Sequence, residues 1–158
     1  MFRELTRKHK QIAREACISL LRAETRGVLA VNGDGGYPYA MPMNHFYNEA
    51  DGCIYFHCGK TGHRTDALLR SDKVCFCVYE QGERAPGEWA YHVRSVIVFG
   101  RVERIEDMAQ IACITRALSH KFTQDEGYIE REIAQAGAAT LLLRLRPEHM
   151  CGKQVVEA

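Results

Sequence analysis

The five residues Asn32-Gly-Asp-Gly-Gly36 constrain this chain more than any other segment. They separate two strand-like runs, 28–31 and 37–47. Asn, Asp and Gly tolerate the positive φ angles of a tight reversal, so the runs are expected to pair as an antiparallel hairpin. Pro38 and Pro42 lie in the second run and cannot donate to a ladder, which marks it as an irregular edge strand.

Further along, Asp51-Gly52 reads as a turn, 53–57 as a third strand and 62–70 as a short helix. A fourth strand is expected over 73–80, with Val74, Phe76 and Val78 on one face. After a polar Gly/Pro loop at 81–87 comes a long strand, 92–105, bent near Gly100. Met108, Ile111, Ala112, Thr115, Leu118 and Phe122 form a helical stripe over 107–122. Residues 127–137 read as loop plus a short helix, and 140–146 as a last strand ended by Pro147. Ile12, Ala13, Ala16, Cys17, Leu20 and Leu21 predict an N-terminal helix over about 7–24. Short hairpins and irregular alternation of strands with helices argue against a doubly wound parallel sheet. The expected fold is mainly β with flanking helices, a small closed or partly split antiparallel barrel. It forms one domain over 1–158, with the barrel at about 27–147 and a tail at 148–158.

A chain of 158 residues suits a single core. Its 21 basic and 20 acidic residues leave a charge of +1, which offers no basic face for nucleic acid. No apolar run approaches the roughly 20 residues that cross a bilayer, and the N-terminus lacks a signal-like apolar stretch, so a cytoplasmic protein without a membrane partner is expected. The seven cysteines, an odd set without a CxxC pair, read as small hydrophobes and not as a disulfide or zinc framework.

Chemistry concentrates in Ile54-Tyr-Phe-His-Cys-Gly-Lys-Thr-Gly-His-Arg-Thr-Asp-Ala-Leu-Leu69. On a strand, His57 and Cys58 leave opposite faces, so they do not converge with His63 on one ion, and no metal is expected. The glycines Gly59 and Gly62 before a helix suggest an anion cradle, with Lys60, His63 and Arg64 adding charge; a solvated turn is the plainer alternative. Around Tyr37-Pro-Tyr-Ala-Met-Pro-Met-Asn-His-Phe46, a strand bent by proline could face a flat ring or simply form an edge with a Met-rich core side. Arg94 and Ser95 interrupt an apolar strand, as ligand contacts or as part of a solvated face. Cys58, Cys75 and Cys77 read as structural, because no triad-like partner accompanies them.

These segments, together with "KVCFCV", "HVRSVIVFGRVERIED" and "LRLRPEHMCGK", follow one another as in the FMN-binding split barrels, and the chain resembles the pyridoxamine 5'-phosphate oxidase-like proteins, nearest their nitroimidazole-resistance branch. The resemblance covers most of 26–153 and implies a six-stranded antiparallel split β-barrel, a homodimer, and FMN at the dimer interface. It carries the family's phosphate segment onto His57, Cys58, Lys60, Gly62, His63 and Arg64, and its flavin-contacting strands onto Pro42, Met43, Asn44, Ser95 and Val96. It marks His57 as the catalytic candidate beside the flavin. An arginine- and serine-rich signature of the oxidases themselves is missing, so pyridoxamine 5'-phosphate oxidation is not expected. The implied activity is an FMN-dependent oxidoreductase on a small oxidised molecule, nitroaromatics included. The alternative is a non-catalytic flavin or haem carrier, since His45, His57, His63, His92 and His149 leave haem ligation open.

Overall fold

In the computed structural model, which describes residues 1–157, an antiparallel sheet curls on itself and carries helices outside. Its strands are β1 (Arg26–Asn32), β2 (Pro38–Asn44), β3 (Phe46–Asn48), β4 (Cys53–Gly59), β5 (Lys73–Tyr79), β6 (Tyr91–Ile105) and β7 (Thr140–Glu157). The order across the sheet is β2-β1-β5-β6-β7-β4-β3. β2 and β3 therefore sit at opposite edges, yet His45 alone separates them in the chain. The segment 38–48 pairs first with β1 and then with β4, which closes the sheet into a split barrel. Counting β2 and β3 as one bent strand recovers the expected six; the structure divides it at His45.

Among the described residues, four α-helices flank the sheet: α1 (Arg14–Ala23), α2 (His63–Arg70), α3 (Met108–Ser119) and α4 (Glu126–Ala136). The alternation of β5 puts Val74, Phe76 and Val78 inside, with Leu29, Val96, Val98, Phe56, Leu143 and Leu145. α1 adds Cys17, Leu20 and Leu21 to the same core. The other face of β4 and β7 forms a second core, where Cys53, Tyr55 and Leu142 meet Ile111 and Ile114 of α3.

Several boundaries differ from expectation. The N-terminal helix starts at Arg14, after a short 3-10 turn at Lys8–Lys10. α3 ends at Ser119, and Met108 and Phe122, expected on its buried stripe, are exposed, while Ile114 takes the inward position. Residues 127–137 lie almost wholly in α4, a three-turn helix capped by Asp125, whose side chain accepts from the Tyr128 N–H.

The largest correction concerns Pro147. The last strand does not end there but runs to Glu157, so the expected tail at 148–158 is sheet as far as the described residues go; Ala158 lies outside them. Proline is tolerated because the register shifts between Phe99 and Gly100, where the β6–β7 ladder is already broken. Gly100 is required at this bulge: a Cβ there would lie 2.1 Å from the Arg146 carbonyl oxygen.

The outer face of the upper sheet carries a continuous row, Pro42-Val28-Cys77-Ile97-Cys151, across five strands. No helix covers it. At one side Phe2 of the N-terminal segment stacks on His149, ring centroids 4.9 Å apart.

Candidate functional site

β4 delivers its last residues to opposite sides of the sheet, as strand alternation requires. His57 faces α3 and α4, whereas Cys58 packs against the barrel core beside Arg64. The two do not share a ligand position.

Past Cys58 the chain turns through Gly59–Gly62 into α2. Gly62 occupies the N-cap with φ of 116°, a conformation that favours glycine, and contributes no side-chain acceptor to the helix start. Arg64, in the first turn, is half-buried. Its Nη1 donates to the Sδ of Met43 at 3.2 Å, and it also reaches the Cys58 sulfur. Its Nε–H is buried with no hydrogen-bond partner among the described residues. The neighbouring Thr65 is buried too, and its Oγ1 has no partner among them.

Among the described residues this half-buried guanidinium meets sulfur atoms, weak acceptors in place of the carboxylate that usually accompanies an arginine. Sequence reasoning missed a further cation here. The β6–β7–β4 pairing carries Arg104 to within electrostatic reach of Cys58, and Arg104 shares a cavity of about 320 Å³ with Lys60. Burial pushes the Cys58 thiol up, an effect both arginines oppose, so it stays protonated at neutral pH.

His63 goes elsewhere. Its ring stacks on Tyr39 at 4.1 Å and its Nε2 lies 3.3 Å from Asp34, which also pairs with Arg70. These contacts tie α2 to the β1–β2 turn.

The strand residues divide by face. Pro42, Asn44 and Ser95 lie on the outer surface of the sheet, with Lys153 directly opposite Ser95. Met43 and Val96 point inward, 7% and 0% exposed. Arg94 is paired with Glu80, whose two oxygens accept at 2.9 Å from Nε and 2.7 Å from Nη2, and its side chain stays 37% exposed.

On its own side, His57 borders a cavity of about 450 Å³ between β4 and the α3–α4 pair. Met108, Ile111, Ala112, Ile129 and Ile133 wall it. His57 is open to this space, but burial lowers its pKa, so the imidazole is neutral at pH 7.

A curled antiparallel sheet with helices outside, its two edge strands joined through His45, is the split-barrel fold. The sequence profile described as pyridoxamine 5'-phosphate oxidase matches residues 13–154, and the chain belongs to that family. Among solved structures, a protein of Bacteroides thetaiotaomicron, provisionally described as a 5-nitroimidazole antibiotic resistance protein, superposes with a TM-score of 0.75 at 21% identity, over 93% of this chain and 87% of its own. An FAD-binding protein of Mycobacterium smegmatis gives 0.68 at 18% identity, over 94% and 99%. An FAD- and haem-binding protein of the same organism gives 0.69 at 24%, over 91% and 72%. No curated protein matches the chain in sequence.

Proposed function

We propose that this protein binds a flavin nucleotide, FMN in the first instance, and acts as an oxidoreductase on a small oxidised molecule, nitroaromatics included. The observation that carries this reading is the half-buried Arg64 guanidinium beside sulfur, its Nε–H buried and unpartnered among the described residues. A phosphate would supply the acceptor that Met43 and Cys58 do not. Lys60 and Arg104 would add charge from the adjoining cavity, and the Gly62-capped start of α2 would add backbone N–H donors.

Pro42, Asn44 and Ser95, on one outward surface, would border the ring system, while Met43 and Val96 would support it from within the core. The bound isoalloxazine supplies the electron-transfer chemistry. His57 would contribute a neutral imidazole, able to donate one hydrogen bond toward a substrate oxygen without carrying charge. His63, engaged by Asp34 and Tyr39, would act only by holding α2 in place.

The uncovered outer face, with Val28, Cys77, Ile97 and Cys151 in line, would be buried by a second copy of the chain, giving a homodimer. No helix among the described residues is long and apolar enough to cross a membrane.

Purified protein titrated with FMN, FAD and riboflavin tests the reading. Saturable flavin binding with a requirement for the phosphate is expected, and no binding to any of the three would sink it. A second reading, a flavin or haem carrier without turnover, draws on the relative described as binding both FAD and haem. Bound flavin that neither NAD(P)H nor a nitro compound perturbs would favour it.

A further inference from the structure

The cavity between β4 and the α3–α4 pair does not include Arg64, Met43 or Cys58 in its lining, although Met108, Ile111, Gly137 and Thr140 border both it and the Lys60–Arg104 cavity. Its volume of about 450 Å³ lies in the range of roughly 300–1,000 Å³ that small-molecule sites occupy. Its walls are mostly aliphatic. Hydrogen-bonding groups interrupt them: His57 and Thr140 on the sheet side, and Thr115, Ser119, Tyr128 and Glu132 on the helices, of which the Thr115 Oγ1 is buried without a partner among the described residues. Among the described residues on its lining Glu132 is the acidic one, and neither Lys nor Arg joins it there.

We propose that this cavity is a substrate chamber, and that it takes a neutral aromatic molecule of one or two rings bearing a hydrogen-bond acceptor. The aliphatic side chains of Ile111, Ala112, Ile129 and Ile133 suit an apolar ring. The Thr115 hydroxyl and one His57 N–H suit an acceptor such as a carbonyl or nitro oxygen. Glu132 and the lack of a lining cation act against an anion, which distinguishes the chamber from its basic neighbour. The inference rests on the flavin reading for its meaning as a substrate site, since His57 borders the chamber and leads along β4 to the proposed phosphate residues.

Fluorescence titration with the neutral dye aminomethylcoumarin and with its anionic acetic-acid derivative tests the assignment. The neutral dye is expected to bind at least about tenfold more tightly than the anion. Ala112→Leu should weaken it, and Ala112→Trp should weaken it by about tenfold or more, with FMN affinity held in both. In the unsubstituted protein, the His57 ring resonances should shift as the dye is added. Equal affinity for both dyes overturns the charge assignment. Unchanged dye affinity in a folded Ala112→Leu protein, or static His57 resonances at saturation, overturns the chamber. Dye binding without flavin binding removes the flavin reading alone, and flavin binding without dye binding removes the chamber alone.

Discussion

Arg64 donates a hydrogen bond from Nη1 to the thioether sulfur of Met43, 3.2 Å away. A full positive charge thus meets one of the weakest acceptors among side chains, while its Nε–H goes unanswered among the described residues. Arg64→Ala should weaken FMN by about 1.5–3 kcal/mol, the range for a hydrogen bond to a charged group. That corresponds to roughly 10- to 150-fold in Kd. Calorimetry with FMN and riboflavin separates the effect: riboflavin affinity should hardly change. An equal loss for both ligands would mean that Arg64 does not contact the phosphate.

His45 gives the barrel a sensitivity to acid. It is fully buried at the corner between β2 and β3, its Nε2 donates to the Leu21 carbonyl at 2.8 Å, and its ring meets Phe76 edge-on. Burial, with help from the Lys121 charge, lowers its pKa to about 4. The unfolded chain takes up this proton near pH 6.5 and the folded one does not, so the contribution is full above that value and is lost as pH falls toward 4. The gap amounts to roughly 3 kcal/mol. Urea unfolding at several pH values should follow this decline, and His45→Gln should flatten it. A variant with the same acid profile as the parent would assign the decline to other groups.

Gly100 marks the place where two long strands change register. Gly100→Ala forces a Cβ against the Arg146 carbonyl and should cost about 1–3 kcal/mol. Gly137→Ala is the contrasting change. Nothing lies within 4 Å of the added atom and φ is −55°, so stability should hold or rise slightly. Thermal melts compare the two. A Gly100→Ala protein that melts with the parent would mean that the bulge relaxes freely.

Ile97 lies mid-row on the uncovered sheet face, between Cys77 and Cys151. On the proposed dimer, Ile97→Asp should leave only monomer in sedimentation analysis, because an interface cannot bury an unpaired carboxylate without a large penalty. An unchanged dimer would place the subunit contact on another surface.

Much of this was legible in the residues because it is local. The Asn32–Gly36 turn, the one-sided pattern of Val74, Phe76 and Val78, and the bend at Gly100 each reflect a conformational preference or a period that neighbours set. The opposite directions of His57 and Cys58 follow from the same period. Pro147 misled for a related reason: a local rule against proline in strands holds unless a distant residue, here Gly100, supplies the bulge that relieves it.

The sequence by itself determined the hairpin start, the barrel class and the basic turn after β4, because turn chemistry and alternation act over a few residues. Only the tertiary structure decided which of those cations stand together. It drew His63 away to Asp34, gave Arg94 to Glu80, brought Arg104 beside Cys58, and set α3 and α4 over His57. Those outcomes depend on strand order and helix packing, which join residues far apart in the chain and leave no spacing for a linear pattern to reveal.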